Sequence, residues 1–247
     1  MKKDIEKIMR LYLEDFIQKK GLSCVINNSV PIIWFGNIEK YFSSKTKIIT
    51  VALNPSKSEF PEDEIRFPEA IKNPDSLDAL YESLNNYFIT NPYYSWFRHY
   101  EKILNHFNAS YNGNGKMRIV DKKFENTSIH IDIYTAIATN PVWSKLKKEE
   151  RYEITNTKLF KNLLSLVNPD IILISARKKI VEQELNLDES MIFFKQRTKD
   201  GGKIGIDAFK SNNRLVVWGN NWNIPFASMK DVFIKECCNK IISEQNL

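Results

Sequence analysis

Residues Thr46 to Ser56 read Thr-Lys-Ile-Ile-Thr-Val-Ala-Leu-Asn-Pro-Ser. Within them Ile48, Ile49, Val51, Ala52 and Leu53 form a short, nearly continuous apolar run. It lacks the polar alternation of a strand with one wet face, so it predicts a strand covered on both sides. Pro55 has no N–H to donate and stops the pairing. Asn54 is thereby left at the strand's carboxyl end, the edge of an open α/β sheet where ligands bind. That makes Asn54 a candidate reacting-centre residue. Asn-Pro is also an ordinary turn starter, and its position alone does not decide between the two.

The rest of the chain alternates in the same manner. Helical periodicity over Met1–Lys20 places Ile5, Ile8, Leu11, Leu13 and Phe16 among charged residues. A polar, proline-punctuated stretch from Pro55 to Pro74 has the length of a functional loop or lid. Helices are predicted over Ser76–Phe88, with Ser76 as N-cap, over the aromatic-rich Tyr93–Phe107, and over Thr155–Val167, Arg177–Leu185 and Ala227–Ile242. Tyr111–Gly115 reads as a turn. Strands are predicted over Ile129–Ala138, Asp170–Ser175 and Arg214–Gly219, and a hairpin over Met191–Ile206 turning at Asp200-Gly201-Gly202. This order implies a three-layer α/β/α sandwich around a mostly parallel sheet of about four strands. The expected organisation is a single domain over 1–247, with an N-terminal helical part at 1–45 and an insertion at 55–110. Right-handed crossovers put the strand carboxyl ends on one edge. Three loops are then expected to converge, 54–59, 139–144 and 220–226, each with Asn beside Pro or Trp.

Composition excludes several classes. With 247 residues, 43% of them hydrophobic, the chain can bury a substantial core. Cys24, Cys237 and Cys238 suit neither a disulfide framework nor a Cys-x-x-Cys metal clip, and three thiols cannot hold a four-cysteine iron–sulfur cluster. They read as free thiols of a reducing compartment. No stretch has the length and apolarity of a membrane span or signal peptide, so a cytoplasmic location is expected, without a membrane partner. The net charge of +6 permits a polyanionic partner without requiring one. No glycine-rich phosphate loop is present, and eight glycines in all argue against nucleotide-binding enzymes of that type. No metal, cofactor or obligate protein partner is expected.

Strand, Asn-Pro, long insertion, strand with a polar residue, strand, and a last strand ending in an Asn-rich loop: this order resembles the uracil-DNA glycosylase superfamily. Ala52-Leu53-Asn54-Pro55-Ser56 is similar to the first motif of its mismatch-specific and single-strand-selective branches, Gly-Ile/Met-Asn-Pro-Gly. Ser56 stands where that motif has glycine. Gly219-Asn220-Asn221-Trp222-Asn223-Ile224-Pro225-Phe226 matches the last motif loosely and lacks the histidine that would stabilise a departing base anion. Asp132, in His130-Ile131-Asp132-Ile133, falls where the family places its base-reading strand. Uracil-excising members carry Asn there, which can both donate and accept. A carboxylate only accepts, so Asp132 favours an exocyclic amino group such as that of cytosine. The alternative is that Asp132 pairs with a nearby lysine or faces a helix.

The resemblance implies a DNA partner and a flipped nucleotide. Phe67, Trp143 and Trp222 are the candidates to stack the base, unless they are core. Lys145 and Lys147, with Lys148 and Arg151, are candidate phosphate contacts or a solvated helix face. Ser56, Asn220, Asn221 and Asn223 are candidate backbone contacts, and Ile224, Pro225 or Phe226 a candidate wedge. Asn54 would position a water against C1′. Glu59 would assist with the proton, though Glu62, Asp63 and Glu64 lie in the same loop. No residue marks a Schiff-base lysine, so simple base removal leaving an abasic site is expected. An acidic base reader and a long insertion suit a bulky 5-modified cytosine, hydroxymethylated or glucosylated, and the outline is similar to phage-restricting glycosylases of the superfamily. The alternatives are a uracil or mismatched-thymine repair glycosylase and a catalytically silent nucleic-acid-binding module.

Overall fold

The computed structural model describes residues 2–61, 66–113, 117–120, 122–198, 204–220 and 224–245. Its strands are β1 (Ile48–Ala52), β2 (Ala109–Ser110), β3 (Asn126–Thr127), β4 (Ile129–Asp132), β5 (Ile171–Ser175), β6 (Ile192–Arg197), β7 (Gly205–Ser211) and β8 (Arg214–Gly219). Its helices are α1 (Lys2–Lys19), α2 (Ile38–Ser43), α3 (Pro68–Lys72), α4 (Leu77–Asn85), α5 (Tyr87–Thr90), α6 (Tyr94–His106), α7 (Lys148–Ile154), α8 (Thr157–Val167), α9 (Lys178–Leu185) and α10 (Asp231–Gln245). The fold is α/β, with a central six-stranded sheet in the order β4-β1-β5-β8-β7-β6 and helices flanking it. β1 pairs parallel with β5, and β5 with β8.

The sheet is larger than the four strands expected, and one side of it is antiparallel. β8, β7 and β6 form a meander. The 191–206 segment does pair as a hairpin, but β7 continues to Ser211 and then turns on Asn212 and Asn213, both at positive φ, into β8. Asn tolerates that left-handed backbone better than most residues, which lets a two-residue connection join the strands. The predicted turn at Asp200–Gly202 lies outside the described residues.

The chain forms two compact units, each built from segments distant in sequence. The first comprises 1–38, 53–93 and 129–168. Here α1 turns Ile5, Ile8, Met9, Tyr12 and Phe16 inward and packs on α8. Asn156 and Lys19 both bond to Asp15, at 2.7 and 2.8 Å, fixing the end of the helix against the start of α8. The predicted strand over 129–138 is shorter in the structure. β4 stops at Asp132, because the following backbone groups find partners in loops rather than in a ladder: Tyr134 N donates to Leu53 O (2.9 Å), Ile32 N to Ala136 O (2.8 Å) and Ile26 N to Ala138 O (3.2 Å). The predicted helix at 76–88 divides at Asn86 into α4 and α5. Ser76 is the N-cap, its Oγ accepting from Ala79 N at 3.2 Å.

The second unit comprises 39–52, 94–128 and 169–247. β1 is buried throughout, and β5 and β8 nearly so, as their continuous apolar sequences require. Polar atoms within this core are paired. Tyr100 donates to Val51 O at 2.6 Å, Trp218 Nε1 to Ala176 O at 2.8 Å, and the Thr50 and Tyr111 hydroxyls bond each other. The aromatic stripe of α6 is core, with Phe97, Tyr100, Ile103 and Leu104 each at most 1% exposed. Cys237 and Cys238 are buried on α10, and Cys24 is buried in the first unit; all three are free thiols.

Candidate active site

Asn54, Glu59 and Asp132 all belong to the first unit. Asn54 follows β1 and is partly buried. Its Nδ2 donates to Pro55 O at 2.5 Å and to Thr139 Oγ1 at 2.9 Å. A carbonyl can only accept, so the first bond fixes which end of the amide is nitrogen. Both amide hydrogens are engaged, and Oδ1 is left as the acceptor that Asn54 has to offer. Thr139 is fully buried and its backbone also holds this loop, donating to Pro55 O at 3.3 Å and accepting from Lys57 N at 3.1 Å. The Asn54 and 139–141 loops are thus laced together, with a cis peptide bond at Asn140-Pro141.

Ser56 starts the short turn Lys57–Glu59, its Oγ accepting from Ser58 N at 3.3 Å. Ser56 is therefore a cap, and the turn it caps carries Glu59 into the interior. Glu59 is 4% exposed. Tyr87 donates to its Oε2 at 2.5 Å, and Tyr87 in turn accepts from Tyr93 N at 2.8 Å. Burial, with a smaller contribution from the nearby Asp132, pushes the Glu59 carboxyl up to about 7 against the opposing effects of the Tyr87 bond and the Arg66 charge.

Asp132 ends β4 two residues after His130, so the two side chains lie on one face of the strand. His130 Nε2 stands 3.6 Å from Asp132 Oδ1, too far for a hydrogen bond. Asp132 is 7% exposed, and its Oδ1 has no hydrogen-bond partner among the described residues. A buried carboxylate oxygen without a donor is costly, and a ligand or a water is one way to satisfy it. Glu59 and Tyr12 are both within electrostatic reach of it. Burial raises the Tyr12 phenol well above its ordinary range, with Asp132 and Asp15 adding to the effect, so Tyr12 is a neutral hydroxyl.

The aromatic candidates fare differently. Phe67 is fully buried, stacked on Phe60 and on Tyr87 with centroids 5.4 Å apart in both cases. In this arrangement Phe67 is a support for Tyr87 and presents no open ring face. Trp143 stacks on Tyr134 at 4.8 Å and 12°, and packs against the cluster of Phe16, Cys24, Val25, Ile137, Leu146 and Ile154. Lys145 and Lys147 are exposed, and Lys147 also opens α7, its N–H donating to Glu150 Oε2 at 2.7 Å. In the second unit, Asn220 Oδ1 accepts from Gly205 N at 2.6 Å, tying the end of β8 to the start of β7. Pro225 is buried, and Phe226 is buried at positive φ with its ring over Gly219 and edge-on to Tyr100. Of the three wedge candidates Ile224 is the exposed one, at 42%. Asn221, Trp222 and Asn223 lie outside the described residues, as do Glu62, Asp63 and Glu64.

Tyr87, His130, Tyr12 and Thr139 were missed as site residues. His130 was legible, being i−2 from Asp132 on a strand. Tyr87 was not, because its neighbour Phe88 continues the apolar stripe of the predicted helix and hides the break at Asn86.

No protein-family model and no curated protein sequence matches the chain. Among the described residues no helix is long and apolar enough to cross a membrane, and no group of three or more His, Cys, Asp or Glu is placed to hold a metal ion.

Proposed function

We propose that this protein is a monofunctional DNA glycosylase on a uracil-DNA glycosylase-type α/β sheet, removing a 5-modified cytosine and leaving an abasic site. The observation that carries the reading is Asp132 Oδ1, a buried acceptor with no donor among the described residues. An exocyclic amino group on a flipped base is a donor of the required kind, whereas the O4 of uracil would place acceptor against acceptor. Asn54, its amide nitrogen held by Pro55 and Thr139, offers Oδ1 to orient a water for attack on C1′. Glu59 exchanges a proton with the reacting groups. The exposed Lys145 and Lys147 supply charge for the phosphate backbone.

The test is base release from oligonucleotides bearing 5-hydroxymethylcytosine, glucosylated hydroxymethylcytosine, cytosine or uracil, read by alkaline cleavage of abasic sites. Release is expected from the modified cytosines. Asn54→Ala is expected to lower it on the order of 100-fold or more while DNA binding persists. Asp132→Asn is expected to shift selectivity toward uracil by about tenfold or more. Release from uracil alone by the unaltered protein overturns the substrate assignment, and release from none overturns the enzymatic one.

A further inference from the structure

We propose that Glu59 is the general acid that protonates the departing base, and that Tyr87 is the positioning residue that confines its proton to Oε1. This rests on the glycosylase reading, which leaves the direction of proton transfer unassigned.

The argument begins with the phenol. Tyr93 N already donates to the Tyr87 oxygen at 2.8 Å, and the Tyr87 O–H is directed at Glu59 Oε2 at 2.5 Å. The ring cannot easily turn away. Phe67 stacks on it at 5.4 Å and 22°, and Phe35 meets it edge-on at 4.7 Å and 68°. While the Tyr87 hydrogen lies on Oε2, a proton carried by Glu59 sits on Oε1.

Two of the three residues assigned to the reaction cannot supply that proton. A base leaving with the electron pair of the C1′–N1 bond needs a donor. Both amide hydrogens of Asn54 are spent on Pro55 and Thr139. Asp132 as a carboxylate only accepts. Of the three, Glu59 remains. Among the described residues three groups face it: Tyr87 from α5, Arg66 from the segment before α3, and Asp132 from β4. Burial and Asp132 favour the neutral acid; Tyr87 and Arg66 oppose it without prevailing.

The step balances. The C1′–N1 bond breaks with its electrons passing to the base. The Oε1 proton moves to the base at a ring nitrogen or O2. Water oxygen bonds to C1′, and the proton released by that water restores Glu59 through solvent. One water is consumed, and a neutral base and a sugar hydroxyl are formed.

The experiment is single-turnover release of 5-hydroxymethylcytosine from an oligonucleotide between pH 5 and 9. It is repeated on oligonucleotides whose 5-substituents change the acidity of the leaving base, 5-fluorocytosine against 5-methylcytosine. For the unaltered protein the rate is expected to fall as pH rises through the Glu59 ionisation. Glu59→Gln is expected to be slower on the order of 100-fold at pH 6, to lose that descending limb, and to depend more steeply on leaving-base acidity. Tyr87→Phe removes a bond that favours the carboxylate, so its limb moves to higher pH. A rate that rises with pH in the unaltered protein, or a descending limb retained in Glu59→Gln, overturns the acid role while leaving the glycosylase reading intact. Binding without release from any oligonucleotide overturns both. The pH limb of the unaltered protein decides the matter even where a variant fails to fold.

Discussion

Glu101 and Glu59 are both buried glutamates, at 2% and 4% exposure, and burial raises the carboxyl of each. Their surroundings differ. Glu101, on α6 of the second unit, accepts from Ser110 Oγ at 2.5 Å and Asn105 Nδ2 at 3.2 Å on one oxygen, and from Tyr111 N at 3.0 Å on the other. Glu59, in the first unit, accepts from Tyr87 alone among the described residues, and its neighbour Asp132 has an oxygen with no hydrogen-bond partner there, His130 Nε2 standing 3.6 Å away. A saturated buried carboxylate anchors structure: Glu101 joins the helix to the strand that follows it. An unsaturated one retains capacity for a ligand, at a cost in stability that the rest of the fold must bear.

The contrast can be broken by substitution, and the largest effect is expected at Glu59. Its folded carboxyl titrates at about 7 against an ordinary 4.5. Below 4.5 both folded and unfolded chains hold the proton, and there is no penalty. Between the two values the unfolded chain releases a proton that the folded chain keeps, so stability declines as pH rises and levels off above about 7. Glu59→Gln removes this term. It is expected to stabilise the protein at pH 8 by up to about 3 kcal/mol more than at pH 4.5, read from urea unfolding at both values. An equal effect at the two pH values would show that Glu59 is not held neutral.

Glu101→Gln should act in the opposite sense. It turns an amide NH2 toward groups that are themselves donors, and about 2 kcal/mol of stability should be lost in the same measurement. Base release per folded molecule should be unchanged. Loss of release without loss of stability would remove the distinction between the two carboxylates. The smallest effect is expected from Asp132→Asn. With one oxygen lacking a hydrogen-bond donor among the described residues, replacing the carboxylate by a neutral amide should raise stability by about 1 kcal/mol or less. A loss of 3 kcal/mol or more would mean that Asp132 holds the fold together, and would sink its assignment as a ligand acceptor.

Much of the architecture was legible without coordinates. β1, β5 and β8 were read from continuous apolar runs, α1, α4, α6, α8 and α9 from helical spacing, and the cap at Ser76 from residue type. These signals are local: a few neighbouring residues carry each one. What went unread was where pairing partners are remote or where local patterns overlap. The 129–138 segment looked like one strand because Ile, Ala and Thr continue past Asp132, yet its later N–H and C=O groups bond to loops near residues 26, 32 and 53. The antiparallel meander was only half visible, since the hairpin could be read but the reach of β7 to Ser211 and the turn on Asn212-Asn213 could not.

The candidate site divides along the same line. The sequence by itself determined that an asparagine ends the first long strand and that an acidic residue stands on the strand holding His130, because both follow from periodicity and turn chemistry within a dozen residues. It offered Glu59, Glu62, Asp63 and Glu64 without means to rank them. Tertiary structure decided that Glu59 is buried against a tyrosine 28 residues away, that Phe67 is spent supporting that tyrosine, and that one Asp132 oxygen has no hydrogen-bond donor among the described residues. The reason is physical. Whether a polar group lacks a partner depends on desolvation by every segment that packs around it, and no local pattern encodes that sum.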